Sequence, residues 1–366
     1  MSEWHTNNRI LLLDYMRVVT AFLVIFGHLY DPTPDNYVRM FIYQFHMPLF
    51  FVVSGMLHRA KPVGYLAKRL LWPVVIFVWF YYLLCYPLYH CGIWQGATQT
   101  QQLPFLPFIG ATCKDLMLYF IDCKGWGPSW FIIALFYVKL MTIGADALTA
   151  DCKQRIPSQK RSINRLWRGC QVFMMLIPVG IGFFIVYQYG RWQGYPTWRN
   201  VGYLANALMA WPYYQIGRLF APCFGQYVVR WKAKSKNLIV ALLCCAVVCL
   251  LMALNGGTSM FAILFGHLAR PWNFVCCYLS GVAGTWMLLH SCLLFPQQLG
   301  ARGTRFVRLA ATSLMGVVGF QYFFCEVVRH TIGLEQPYWL SFLLSLLIYA
   351  ICVCLWQFCR YLHLAE

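Results

Sequence analysis

The chain has 366 residues, of which 60% are hydrophobic and only 11% are charged, whereas a soluble domain carries about 25% charged residues. Its net charge of +18 lies mainly in short segments between apolar blocks, a placement that orients membrane proteins and argues against a nucleic-acid-binding protein. We therefore predict one all-α domain over 1–366, a polytopic bundle in a lipid bilayer.

The apolar blocks are close to the length of about 20 residues that spans a hydrocarbon core. Gly, Pro and charge clusters separate them, as expected for breaks between helices. The first block is too long for a signal peptide, so we expect it to be retained as a helix. The pattern predicts about ten spans, at residues 10–30, 39–58, 68–90, 128–147, 170–189, 202–224, 237–255, 272–293, 308–330 and 337–360.

Lysine and arginine are unevenly distributed among the connections between these spans. Four alternate connections hold seventeen of them, whereas the opposite set holds seven. The positive-inside rule then places the basic connections and both termini in the cytoplasm. The basic connections are 59–69, 149–169, 226–237 and 294–308.

Most of the seventeen cysteines lie inside apolar blocks, where cysteine behaves as a small hydrophobic residue. No CxxC pair indicates a metal site. The external connection 91–127 carries Cys91, Cys113 and Cys123, with an amphipathic stretch over Lys114–Ile121. A disulfide among these cysteines and three free thiols both fit the sequence.

The first span carries a polar stripe. Asp14 and Arg17 are three residues apart and can pair on one helix face. Arg17 and His28 are eleven residues apart, close to three turns, and project from nearly the same face ~16 Å apart. A charge near the bilayer centre costs about 2.5–3.5 kcal/mol, so the stripe predicts a polar cavity. The alternative is a structural ion pair with a separate interfacial histidine.

Two later spans add polar residues. In the second span His46 precedes Pro48, which kinks a helix, and Ser54 lies further along. His46 fits a cavity or a hydrogen-bonded core position equally well. Glu326 lies in the ninth span at a depth similar to His28, where it either orients that histidine or pairs with Arg329, and we favour the pairing.

These residues resemble motifs of the acyltransferase 3 family of bacterial membrane acyltransferases, which includes O-acetyltransferases of surface polysaccharides. The strongest match is an arginine and a histidine separated by ten residues, Arg17 and His28. The ninth span departs from the pattern, with Gln321 where many relatives carry a histidine nearby. Further matches are FHMPLFFVVSG at Phe45–Gly55, KRLLWP at Lys68–Pro73 and SWFIIALF at Ser129–Phe136.

The resemblance implies that acyl-CoA, most often acetyl-CoA, is the donor substrate, with no bound cofactor or metal. It implies a hydroxyl of a cell-surface polysaccharide or lipid-linked sugar as acceptor, and a bacterial inner membrane as location. His28 would be the general base. Arg17 would orient the donor or support its carbonyl oxygen, with Asp14 fixing the arginine rotamer.

The resemblance also suggests roles for other residues. Lys68, Arg69 and Arg59 would bind the phosphates of the donor, or they serve only to orient the protein in the membrane. The residues expected to line the cavity are His46, Ser54, Glu326 and Trp130.

A different class also fits the sequence. A secondary transporter or flippase of a glycan-related solute would carry intramembrane charges and a basic cytoplasmic side as well. Transporters often have inverted repeats and paired broken helices, and we find neither in the sequence. A membrane sensor without catalytic activity is a third interpretation, which would tolerate the loss of His28.

Overall fold

A computed structural model describes residues 2–29, 36–92, 99–122, 130–155, 177–178, 180–181, 203–257, 271–296, 299–333, 337–362 and 364. Twelve α-helices and one 3₁₀ turn account for the regular structure of these residues. The helices are α1 Ser2–His28, α2 Tyr37–Met56, α3 Val63–His90, α4 Phe105–Asp122, α5 Trp130–Arg155, α6 Leu204–Phe220, α7 Phe224–Arg230, α8 Lys234–Leu254, α9 Pro271–Cys292, α10 Ala301–Thr312, α11 Leu314–Ile332 and α12 Tyr338–Tyr361.

Several helices meet the requirements for crossing a membrane. Within the described residues, six are long and apolar enough, namely α1, α3, α5, α8, α9 and α12, and the bent pair α10–α11 would make a seventh if it forms one span. This confirms a multi-pass protein whose regular structure is helical throughout the described residues. The count of ten spans and the location of the termini stay predictions. Of the predicted span 170–189, only four residues are among those described.

The helices α2 and α6 differ from these because they lie in the interior of the bundle. Most residues of both are buried, so neither needs a continuous apolar surface toward lipid. They approach closely at Gly55 and Gly217, where an added Cβ would collide with the carbonyl oxygens of Tyr214 and Val52 respectively. Small residues permit such contact between helix backbones in membranes. By contrast, only 17% of the α8 span is buried.

The predicted ninth span 308–330 is wrong as a single helix. The structure divides this region into α10 and α11, which meet at Ser313 with a bend of 65°. The Ser313 hydroxyl donates to the Leu309 carbonyl at 2.8 Å, a local bond that bends helices. The exposed arginines of α10 also favour water over a bilayer core.

Two other regions differ from the sequence prediction. Because α3 begins at Val63, Lys68 and Arg69 lie inside the helix rather than at its entry. In the connection 91–127 the helix α4 is longer than the amphipathic stretch predicted there. Cys91 and Cys113 are free thiols, and Cys123 lies outside the described residues.

Candidate functional site

The polar stripe of α1 is enclosed by protein. Between Arg17 and His28 the stripe residues Ala21, Val24 and Ile25 are at most 3% exposed. They pack in the main hydrophobic core, with α2, α11 and α12 as neighbours of α1. The stripe therefore joins two polar regions inside the bundle. We name them the histidine end, around His28, and the basic end, around Arg17.

At the histidine end, a tyrosine from the neighbouring helix holds the His28 ring. The Tyr43 hydroxyl lies 3.0 Å from His28 Nδ1, and the Tyr322 ring meets the imidazole edge-on at 6.5 Å between centroids. When Nδ1–H donates to the tyrosine oxygen, the Nε2 lone pair is left to accept a proton. In the other tautomer the tyrosine donates and Nε2 carries the hydrogen.

Tyr43 is itself positioned by two residues of α2. The guanidinium carbon of Arg39 lies 4.6 Å from the Tyr43 ring centroid, a cation–π distance. The His46 ring lies 4.7 Å from the Tyr43 ring, and its Nδ1–H donates to the Ile42 carbonyl at 2.9 Å. The structure thus brings His46 to the histidine end, where it packs against the partner of His28.

Arg329 links Glu326 to the end of α1. One guanidinium nitrogen donates to the Glu326 carboxylate and another donates to the backbone carbonyl of His28. That carbonyl is among the last four of α1, which have no partner within the helix, and a forked guanidinium suits both acceptors. The predicted Glu326–Arg329 pair is present. Glu326 is linked through Arg329 to the backbone of His28, while Tyr43 contacts the imidazole.

At the basic end, Arg17 and Asp14 form the pair that their spacing predicts. Arg17 Nη1 donates to Asp14 Oδ1 at 3.2 Å, and the aspartate side chain is only 8% exposed. Arg308 lies close enough to act electrostatically on Asp14, and Arg69 acts in the same way on Arg17. One carboxylate therefore lies among three guanidinium groups.

A lysine that the sequence analysis missed extends this end. Lys139 Nζ donates to the Tyr214 hydroxyl at 3.2 Å, and Arg69 lies within electrostatic range of Lys139. Lys139 is a charged residue in the interior of an apolar span, and that signal by itself marks a functional candidate. We define the basic cluster as Arg17, Arg69, Lys139 and Arg308.

His58 completes the hydrogen bonds around Tyr214. Its Nδ1 lies 2.7 Å from the Tyr214 hydroxyl, which accepts from Lys139 and so has its own hydrogen available for His58. Burial, followed by the positive charges of Arg218 and Lys139, lowers the pKa of His58, which lies beyond the end of α2. The neutral imidazole is thereby favoured as an acceptor beside the basic cluster.

Of the predicted donor-binding residues, Arg59 and Lys68 are exposed and lie outside this cluster. Arg69 belongs to the cluster and donates through Nη1 to the Tyr65 hydroxyl at 2.8 Å. Arg218 is less available to a ligand, because Asp146 pairs with it through two bonds of 2.9 and 3.0 Å.

An open surface cavity of about 510 Å³ lies along one face of α10, lined in part by Thr304, Arg305, Arg308 and Thr312. Two guanidinium groups and two hydroxyls on one helix face suit a phosphate or carboxylate ligand. Since Arg308 also acts on Asp14, this cavity adjoins the basic cluster.

Two predicted cavity-lining residues have other surroundings. Ser54 is half-buried beside the close approach of α2 and α6 at Gly55. Trp130, at the start of α5, packs against the rings of Phe131 and Tyr203. A role for either in lining a cavity stays a prediction.

Comparison with known proteins gives one match. The family model for acyltransferase 3, described as an acyltransferase domain, matches residues 10–357. This range includes both ends of the α1 stripe and nearly all of α12. No curated protein and no solved structure matches the chain.

Proposed function

Since this chain belongs to the acyltransferase 3 family, we propose that it transfers an acyl group, in the simplest case acetyl, from cytoplasmic acyl-CoA to a hydroxyl of a cell-surface or lipid-linked glycan. The observation that carries this proposal is the α1 stripe. At one end of the stripe a histidine has a tyrosine hydroxyl as its partner. At the other end positively charged groups outnumber the single carboxylate of Asp14.

The basic end supports binding of the anionic end of the donor. Coenzyme A carries several phosphate charges, and the basic cluster contains three arginines and a lysine. The α10 cavity adds Arg305 beside Arg308. Because Arg69 and Arg308 of this cluster belong to the basic connections 59–69 and 294–308, the positive-inside rule favours placement of this end in the cytoplasm, where acyl-CoA is available.

The arm of the donor would then lie along the stripe toward His28. This section is closed by Ala21, Val24 and Ile25, which are buried in the core. Donor entry must therefore separate α1 from its neighbours α11 and α12. Apolar side chains along this path suit the acyl and methylene groups of the donor.

The chemistry follows from the free nitrogen of His28. The acceptor hydroxyl oxygen attacks the thioester carbonyl carbon while Nε2 takes the hydroxyl proton. The carbon–sulfur bond then breaks, and the imidazolium returns this proton to the leaving thiolate, which gives free coenzyme A and an ester. Arg39 supplies positive charge at this end as the carbonyl oxygen becomes negative.

Arg17 has a different role in this proposal. It lies eleven positions before His28, or ~16 Å away along the helix axis, which is too far for both side chains to act on one carbonyl group. We assign Arg17 to the phosphates or the adjoining arm of the donor. Asp14 fixes its rotamer and supplies the only carboxylate among the guanidinium groups described there.

The direct test uses purified protein in lipid with acyl-labelled acetyl-CoA and a panel of glycan acceptors. Wild type, His28→Ala and Arg17→Ala are compared for labelled product and for release of free coenzyme A. We expect transfer by the wild type and its loss in both variants. Equal transfer by three folded proteins contradicts the assignment. Movement of a solute across the bilayer without release of coenzyme A identifies a transporter instead.

A further inference from the structure

One buried amide in α11 lacks the partners that such a group needs. Gln321 is fully buried, and neither its Nε2 nor its Oε1 makes a hydrogen bond. Other buried glutamines are bonded, since Gln215 donates to Thr142 at 3.1 Å and Gln44 donates to Gly257 O at 3.3 Å. An amide left unpaired inside a membrane-spanning bundle is unfavourable, which indicates that a partner binds there.

The position of Gln321 relates this missing partner to the α1 stripe. The next residue, Tyr322, packs its ring against His28. One turn further along α11, Cys325 lies close enough to act electrostatically on Tyr43. On the neighbouring helix α12, Tyr349 is near Arg17. Its hydroxyl donates to the carbonyl of Ala310, near the end of α10. Gln321 thus lies at a depth between the basic end and His28.

We propose that Gln321 binds the donor, by pairing with the amide of the coenzyme A arm that lies nearer the sulfur. The Gln321 side chain offers an NH₂ donor and a carbonyl acceptor, and its Oε1 accepts from the N–H of this secondary amide. In a trans amide the N–H and C=O point in opposite directions, so Nε2 donates to another carbonyl group of the donor arm. This inference rests on the proposed function, because it takes acyl-CoA as the donor.

The placement accounts for the choice of amide. In the arm of coenzyme A this amide is two carbons from the sulfur, so it arrives close to His28 when the thioester does. Gln321 lies on α11, which packs against α1, and its amide is unpaired in the protein without donor. Donor binding would exchange two unpaired atoms for two hydrogen bonds and so favour the open passage.

The test combines a change in the donor with a change in the protein and compares their separate and joint effects on the rate. Two short thioesters are compared: S-acetyl-N-acetylcysteamine, which retains this amide, and its analogue with CH₂ in place of the amide N–H. For the wild type we expect the amide-containing thioester to have a kcat/KM about tenfold higher, the size of one buried hydrogen bond. In Gln321→Leu the two thioesters should react almost equally.

Stability gives an independent readout. Leucine is close in size to glutamine and replaces an unpaired amide by an apolar group, so Gln321→Leu should keep or raise the melting temperature. The matched control is Gln357→Leu in α12, which removes a bond of 2.7 Å to Ser313 Oγ. This control should lower the melting temperature and leave the tenfold preference intact.

The outcomes separate this inference from the proposed function. Absence of transfer from every donor by the wild type contradicts the proposed function. Normal transfer with the tenfold preference retained in Gln321→Leu contradicts only the role of Gln321 and leaves a buried water as its partner. If Gln321→Leu is inactive, the same ratio is measured from the dissociation constants of the two thioesters, and a retained preference again overturns the inference.

Discussion

The two ends of the α1 stripe differ in how their charges are compensated. At the histidine end the imidazole has a neutral hydroxyl as partner, Glu326 and Arg329 neutralise each other, and Arg39 lies over the Tyr43 ring. At the basic end Asp14 binds Arg17 and lies within electrostatic range of Arg308, while Arg69 lies within range of Arg17. The first arrangement suits proton transfer by a single base, and the second attracts a polyanion. Separate changes at the two ends should therefore alter different kinetic constants.

The largest effect is expected from the base itself. His28→Ala should lower kcat by about 10² to 10⁴-fold, the contribution of a general base, with little change in donor binding. Measurement of initial rates at saturating acetyl-CoA tests this. His90→Ala, which removes an exposed histidine at the end of α3, is the matched control and should retain full activity. An unchanged kcat in His28→Ala would contradict the assignment of the chemistry to the histidine end.

The next largest effect is expected from Arg329, whose guanidinium connects α11 to the end of α1. Arg329→Gln takes the guanidinium away from the Glu326 carboxylate and from the His28 carbonyl, and should cost about 3 kcal/mol of unfolding free energy. The displaced imidazole should lower kcat by about 100-fold. In the double variant with Glu326→Gln, part of the stability should return because no carboxylate is left without its guanidinium. Additive losses in the double variant would contradict this.

A smaller effect is expected at the basic end, in donor affinity. Lys139→Met should raise the KM for acetyl-CoA about tenfold, the value of one charge-assisted hydrogen bond, while kcat stays within about twofold. The increase should diminish as salt rises, since salt screens the wild-type attraction. Lys236→Met, at an exposed position of α8, is the control. A change in kcat alone would place Lys139 with the chemistry rather than with the donor.

The smallest effect is a pH dependence of stability from His58. Its pKa is lowered in the folded protein by burial and by Arg218 and Lys139, so the unfolded chain binds a proton at a higher pH than the folded one. The unfolding free energy should therefore fall as pH decreases through about 6.5, the unfolded value. Melting curves between pH 7.5 and 5.5 should show a smaller decrease for His58→Gln than for the wild type. An equal decrease would show that other groups account for it.

The sequence predicted the class of protein and one half of the site well. Apolar blocks and sparse charges indicated a helical membrane protein, because the bilayer imposes length and hydropathy on each helix separately. The i, i+3 pair of Asp14 and Arg17, and their shared face with His28, follow from the geometry of one helix. The pairing of Glu326 with Arg329 has the same origin.

Other features of the site depend on contacts between helices, which local spacing does not specify. Tyr43 is the partner of His28, Lys139 meets Tyr214 and His58, and Arg329 reaches the last carbonyl of α1. The division of the ninth span at Ser313 was also missed, because a single serine in an apolar run seldom stops a helix. Its bond to Leu309 is local, but the bond it receives from Gln357 forms only when α11 and α12 are packed together.

By itself, then, the amino-acid sequence determined that this is a helical membrane protein, and that an arginine and a histidine lie on one face of its first helix. Those properties follow from the cost of polar groups in a bilayer and from the pitch of the α-helix. Only the tertiary structure decided which residues from other helices surround the charged and polar groups at the two ends of the stripe. It also decided that the amide of Gln321, between these ends, stays unpaired. Side chains more than a few turns apart in sequence become neighbours solely through the packing of whole helices.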